Sequence, residues 1–134
     1  MLGTRSFSVL VIALALLAAS VAPPAGAAAR QSVRTTVVMK DWQYHQSSST
    51  YRVPGVVRSK RAVCERNRTV KLVGPAVKRR DRTDRVGRWS VRIPAGHVAI
   101  GGTFRAIAPR KVVRKNGRAI VCARGLVIRV VAGG

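Results

Sequence analysis

The chain has 134 residues, with 26 Lys and Arg against 4 Asp and Glu, and a formal net charge of +22. This length fits one small domain and leaves no room for a second of ordinary size. With 4 carboxylates, 2 His and 2 Cys, the chain is poorly supplied for a paired-carboxylate glycosidase or a zinc site of three or four ligands.

The N-terminal segment 1–29 has the composition of a secretory signal peptide. Arg5 precedes a run of about 14 mostly apolar residues, and a Pro-Pro pair and small residues follow. The run is shorter than the roughly 20 residues of a membrane-spanning helix. We therefore expect cleavage after Ala27 or Ala29 and a secreted protein. Removing 29 of the 134 residues leaves 105, and 25 basic minus 4 acidic residues leaves a charge of +21.

After residue 29, helical periodicity is absent and apolar residues recur at every second position in short runs. Seven to eight such runs at intervals of about ten residues predict an all-β fold, a single β-sandwich. The predicted strands are 32–40, 51–59, 68–74, 88–93, 101–109, 111–115, 118–123 and 126–131.

The first two predicted strands flank a polar, serine-rich connection. We interpret 30–50 as an N-terminal strand followed by this connection at 41–50, which has room for a short turn or an edge segment, and we predict the sandwich domain at 51–131. Pro54 has no backbone N–H, so the first half of the second strand is expected at an edge or a bulge.

The segment KRRDRTDRVGRWSVRIP (78–94) combines a basic stretch with a strand. Asp84 and Gly87 occupy the first and fourth positions of a predicted type I turn. After the turn, apolar and polar residues alternate, which predicts a strand with one buried and one wet face. The basic residues before Gly87 are therefore interpreted as lying on a turn.

The C-terminal third contains a predicted hairpin at Asn116-Gly117, the strongest short-range hairpin signal. A two-residue loop would place Val113 opposite Ile120 and Lys111 opposite Cys122. The predicted core of the whole domain comprises Val70, Leu72, Trp89, Val91, Ile93, Phe104, Leu126, Ile128 and Val130.

Cys64 and Cys122 are the only cysteines. In a secreted chain an even pair favours a disulfide, and two free thiols are the alternative. Closing a loop of 58 residues would stabilise the fold by about 4 kcal/mol in the chain-entropy description.

The segments GVVRSKRAVCERNRTVKLVG, DRTDRVGRWSVRIP and GTFRAIAP resemble the carboxypeptidase regulatory-like, or transthyretin-like, β-sandwich module. Thr83 to Trp89 match its Thr-Asp-x-x-Gly-aromatic turn, and the resemblance covers about Tyr51 to Val131. The arrangement is also similar to short basic secreted proteins of actinobacteria. The resemblance implies a transthyretin-like or immunoglobulin-like sandwich and a non-catalytic module without a cofactor.

The excess of basic residues predicts either binding or solubility. Clustered Arg and Lys bind DNA, RNA or anionic polymers of the cell envelope and extracellular space by releasing counterions. Alternatively, the domain is purely structural, with cations that solubilise it and protect sheet edges. Sequence-specific nucleic-acid recognition is not expected, since no motif for it occurs. The binding candidates are Lys78, Arg79, Arg80, Arg82 and Arg85 in one patch, and Arg110, Lys111, Arg114, Lys115 and Arg118 in another.

No catalytic or metal site is predicted. His45 and His97 are about fifty residues apart and are interpreted as exposed loop residues, because zinc requires three or four ligands. Ser47 to Ser49 lack a nucleophile-elbow motif. Asp81 and Asp84 lie within a dense run of Arg, where ion-pair and turn roles explain them better than acid-base catalysis.

Overall fold

The computed structural model describes residues 30–133, and the predicted signal peptide lies outside this range. Eleven strands and one short helix occur within it. The strands are β1 (Arg30–Val33), β2 (Thr35–Met39), β3 (Gln43–His45), β4 (Thr50–Ser59), β5 (Thr69–Gly74), β6 (Val77–Arg82), β7 (Arg88–Pro94), β8 (Thr103–Ala108), β9 (Lys111–Lys115), β10 (Arg118–Cys122) and β11 (Gly125–Val130). The helix, α1, is Ala62–Glu65, and a 3-10 turn spans Ala95–His97.

Two four-stranded sheets face each other, which confirms the all-β sandwich. One has the order β11-β8-β5-β6, and in the other β4 pairs with β7 on one side and with β2 and β3 on the other. The sandwich thus includes strands upstream of Tyr51, the predicted start of the domain. The predicted strand count was low because β6 was not recognised as a strand, 32–40 was taken as one strand, and the edge segment allowed within 41–50, where β3 lies, was not counted.

The core between the two sheets is formed by alternate residues of their strands. The predicted core residues of β5, β7 and β8 are all buried. Phe104 is fully buried and packs edge-to-face on Trp42, with 4.9 Å between ring centroids. Gly55 pairs with Trp89, and a Cβ at this glycine would overlap both the indole ring and the Val38 carbonyl. The glycine therefore makes space for the ring between the sheets.

A third sheet of order β1-β10-β9 stands beside the sandwich. The Asn116-Gly117 turn joins β9 to β10, and both turn residues have positive φ, as a two-residue hairpin turn requires. Val113 pairs with Ile120 and Lys111 with Cys122, as predicted. The predicted disulfide between Cys64 and Cys122 is present, and it attaches α1 to β10.

The N-terminal strand predicted at 32–40 is two strands in different sheets. β1 pairs in parallel with β10, whereas β2 pairs with β4. The chain crosses between the sheets at Arg34, which belongs to neither strand. Continuous β-forming sequence does not reveal such a crossing.

The expectation for Pro54 was partly wrong, because β4 is a central strand. Pro54 pairs with Ser90 of β7 on one side and lies in the gap between β2 and β3 on the other. Its carbonyl accepts a hydrogen bond from Lys40 N across this gap at 2.8 Å. The N and O of one strand residue point to the same side, so the missing N–H faces the gap and leaves the β7 ladder intact.

The prediction that Leu126, Ile128 and Val130 face the core was wrong. Their side chains are 44%, 56% and 59% exposed, and Val127 of the opposite face packs against the core instead. Almost every residue of β11 is apolar, and only Arg129 distinguishes its two faces. That guanidinium, however, donates to the Lys40 and Met39 carbonyls at the edge of the opposing sheet, which allows it to share the inward face.

Candidate polyanion-binding surface

Basic side chains meet in a cleft between the β5–β6 hairpin and the start of β9. The cleft has a volume of about 440 Å³. Its cations are Arg68, Lys71, Arg80, Arg82, Arg110 and Lys111, and its other lining residues are Asn67, Thr69 and Pro109. The structure therefore joins the two basic patches that the sequence predicts separately.

Two further clefts adjoin this central one. A cleft of about 410 Å³ shares Lys71 and Arg80 with it and adds Lys78 and Arg79. A cleft of about 530 Å³ shares Arg110 and adds Arg30 and Arg114. We call the three together the basic surface, whose cations are Arg30, Arg68, Lys71, Lys78, Arg79, Arg80, Arg82, Arg110, Lys111 and Arg114.

Strand register explains how β5 and β6 contribute to this surface. Lys71 of β5 is directly opposite Arg80 of β6, and Val73 is opposite Lys78. Cross-strand partners project from the same side of a sheet, and Lys71, Arg80 and Lys78 are all exposed. The like charges therefore accumulate on the outer side of this sheet.

The basic stretch before Asp81 lies on a strand, which corrects its assignment to a turn. Lys78, Arg79, Arg80 and Arg82 belong to β6, an edge strand in which only Val77 is fully buried. After Val77 the strand has no buried residue on either face, so it has no alternating apolar pattern and the sequence signal was absent. Only Arg85 of that predicted patch lies in the turn.

Arg68 forms the floor of the central cleft and is the largest fully buried side chain, at 1% exposure. Its two terminal nitrogens donate four hydrogen bonds, all to uncharged oxygens. The acceptors are Thr35 Oγ1 at 3.1 Å, Cys64 O at 2.9 Å, Pro109 O at 2.8 Å and Ala123 O at 3.2 Å. Burial lowers the pKa of this guanidinium, which nevertheless stays charged because the pKa of arginine is far above neutral.

Thr83 holds the backbone on either side of Arg68. Its hydroxyl accepts from Arg68 N at 2.7 Å and donates to Glu65 O, and its own N–H donates to Arg68 O at 2.8 Å. Thr83 is the first residue of the Thr-Asp-x-x-Gly-aromatic motif. In this protein the motif therefore supports the buried Arg68 as well as the turn that follows Thr83.

Lys111 shows that positive charge is concentrated in the central cleft. Its pKa is lowered first by partial burial and then by repulsion from Arg68, Arg82 and Arg66. Its ammonium group donates to Asn67 O at 3.1 Å. A bound anion would relieve this repulsion.

The described carboxylates line none of the three clefts, but Asp81 and Asp84 share a neighbouring cleft with Arg82. Asp81 accepts from Ser90 N at 2.8 Å, and Glu65 accepts from Ser59 N at 3.2 Å. Asp84 pairs with Arg88 at 2.9 Å, and its pKa is lowered chiefly by the hydrogen bond from the Arg88 backbone N–H. Within residues 30–133, no carboxylate lines the basic surface.

Seven of the ten predicted binding residues lie on the basic surface, and three do not. Lys115 and Arg118 line a separate cleft at the tip of the hairpin, and Arg85 lies in the turn next to Asp84. Sequence reasoning missed Arg30, Lys71 and Arg68. Lys71 was missed because its neighbour across the sheet, Arg80, cannot be identified from the sequence.

Aromatic side chains are clustered away from this surface. Trp42 and Tyr44 both pack against Tyr51, with centroid distances of 6.1 and 5.1 Å. No aromatic residue of the described range lines the three basic clefts. The surface thus offers charge and hydrogen-bond donors but no platform for base stacking.

His45 and His97 are exposed. His45 is in β3, not in a loop as predicted, and His97 ends the 3-10 turn. Among the described residues, no group of three His, Cys, Asp or Glu is arranged to hold a metal ion. In the same range, no helix is long and apolar enough to cross a membrane.

Comparison of the chain with protein-family models, curated proteins and solved structures finds no match.

Proposed function

We propose that this protein is a non-enzymatic extracellular module that docks through the basic surface on anionic polymers of the cell envelope or the extracellular space. The observation that carries the proposal is the segregation of charge. Ten cations between Arg30 and Arg114 line three adjoining clefts that none of the described carboxylates enters. Solubility alone requires mixed charges and does not require this separation.

The chemistry of the surface favours recognition of repeated negative charge over recognition of a particular base. Exposed Lys and Arg side chains bind phosphate, sulfate or carboxylate groups along a polymer and release its counterions. Reading a nucleotide sequence would require side chains that are placed in a groove or stack on bases. We therefore expect binding that depends strongly on salt and weakly on sequence.

The exposed cations of β6 favour a second candidate function. Lys78, Arg79, Arg80 and Arg82 line an edge strand, where charged residues prevent sheets from joining edge to edge. In this alternative the domain is purely structural, and its charge keeps it soluble and monomeric without a ligand.

Retention on immobilised heparin at increasing NaCl concentrations separates the two functions. The test variant is Arg80→Gln with Arg110→Gln, which neutralises two exposed cations of the central cleft. The control is Arg52→Gln with Arg92→Gln, a pair of exposed residues that face each other across β4 and β7. Both variants lose the same net charge.

Docking predicts retention of the wild type well above physiological salt. The slope of log affinity against log salt should fall by about two in the central-cleft variant and by much less in the control. Release of the wild type below about 0.15 M NaCl, or equal weakening of both variants, would contradict docking and favour the structural alternative.

Secretion is part of the same proposal. The disulfide between Cys64 and Cys122 supports it, because such bonds persist in oxidising compartments. The test is the N-terminal sequence of protein recovered from the culture medium, which should begin after Ala27 or Ala29. Recovery only from the cytoplasm with residue 1 intact would contradict secretion. Membership in the transthyretin-like family stays a prediction.

A further inference from the structure

The outer face of the β11-β8-β5-β6 sheet changes character from one edge to the other. One row across the sheet contains Leu126, Ile107, Lys71 and Arg80, each directly opposite the next. The row begins with two apolar residues and ends with two cations. Since neighbouring strands are about 4.8 Å apart, this change takes place over roughly 14 Å.

The next row also begins with an apolar residue and ends with a cation, but its two middle positions are exchanged, so that the cation is on β8 and the apolar residue is on β5. It contains Ile128, Arg105, Val73 and Lys78. Beyond it, Val130 of β11 is opposite Thr103 of β8. We call this side of the sheet the amphipathic face, with an apolar border on β11 and a basic border on β6.

The apolar border is well exposed. Leu126, Ile128 and Val130 are at least 44% exposed. Three large apolar residues on successive outward positions of one strand form a contiguous stripe, unlike single exposed apolar residues elsewhere on a surface. A stripe of this kind next to cations indicates a binding surface for a partner with apolar and anionic parts.

We propose that the amphipathic face docks on an anionic lipid surface. The β6 cations would contact lipid phosphate groups while the β11 stripe enters the boundary between headgroups and acyl chains. Charge complementarity selects this partner over a second copy of the chain, because two copies with a formal net charge of +22 each repel one another. The inference rests on the proposed function for its basic half, and the β11 stripe is the new element.

Binding to vesicles of phosphatidylglycerol or of phosphatidylcholine tests the inference, with heparin retention measured in parallel. The test variant is Ile128→Thr with Val130→Thr, which keeps a β-branched residue at both positions and leaves every charge in place. The control is Val86→Thr, an apolar residue that is 57% exposed in the turn before β7. A denaturation curve for each variant confirms folding.

The wild type should bind phosphatidylglycerol vesicles and not phosphatidylcholine vesicles. The stripe variant should lose on the order of tenfold in affinity for the anionic vesicles, with heparin retention unchanged, and the control should bind like the wild type. Unchanged vesicle binding by the stripe variant would overturn lipid docking and leave the polymer proposal standing. Vesicle binding without heparin retention would refute the polymer proposal alone. Self-association that the stripe variant abolishes would identify a second copy as the occupant and overturn the inference.

Discussion

Substitution of the buried Arg68 by Met should destabilise the protein by about 3 to 5 kcal/mol, chiefly because buried acceptors lose their donors. The side chain supplies four hydrogen bonds to oxygens from four separate segments. Leaving a buried acceptor without a partner costs roughly 1 to 3 kcal/mol. The loss of all four hydrogen bonds would by itself therefore exceed the expected destabilisation. Two effects reduce it: removing a buried charge recovers its desolvation cost, and the Pro109 and Ala123 carbonyls are only partly buried and can accept from water.

Urea unfolding followed by tryptophan fluorescence, with the disulfide intact, measures this loss. A domain of this size has a stability of about 5 to 15 kcal/mol, so the midpoint should fall by roughly 2 M with little change in slope. Arg68→Lys should lie between Met and the wild type, since one ammonium group has three donors and cannot reach four acceptors. The control is Arg66→Met, which removes an exposed arginine two residues away.

The expected change for the control is within about 0.5 kcal/mol. If Arg68→Met cost less than about 1 kcal/mol, the four hydrogen bonds would only offset the burial of the charge. The buried guanidinium would then not be the group that joins these segments.

Replacing Cys64 and Cys122 by Ala should cost about 4 kcal/mol through loss of the 58-residue loop closure, and unfolding midpoints equal to the wild type's would contradict this. Gly55→Ala should cost about 1 to 3 kcal/mol by overpacking, whereas Gly96→Ala, whose Cβ meets no atom within 4 Å, should be close to neutral in the same measurement. The pKa of Asp84 is lowered from 3.8 in the folded protein, so its stabilising effect is complete above that value and is lost as the pH falls through the folded value. The stability difference between the wild type and Asp84→Asn should therefore shrink below pH 4, and a difference that stays constant from pH 7 to pH 2 would refute this.

The parts of the fold that could be predicted from sequence depend on local rules. Asn116-Gly117 determines the turn of its hairpin, and the pairing of Val113 with Ile120 follows from the loop length. Apolar and polar residues alternate along β7. This alternation predicts that the face with Trp89 is buried, because the opposite face carries Arg88 and Arg92. In these cases the residues that decide the structure are close together in the chain.

The errors arise where a distant segment decides the outcome. The face of β11 was misassigned because Arg129 finds its acceptors on Met39 and Lys40, about ninety residues earlier. Arg68 has no local sign of burial, since its acceptors include carbonyls 41 and 55 residues away. A long side chain with a charged end can belong to either face of a strand, because its position depends on what the end group reaches.

The candidate site illustrates the same dependence on long-range pairing. The sequence identifies which residues are basic, but the pairing of β5 with β6 places Lys71 beside Arg80, and the third sheet brings Arg110 to the same cleft. In unfolded chains these cations are far apart and well solvated, so folding must overcome their mutual repulsion. A ligand that neutralises them should therefore stabilise the fold as it binds, and an increase in unfolding temperature with added heparin at low salt would show that folding and polyanion binding are coupled.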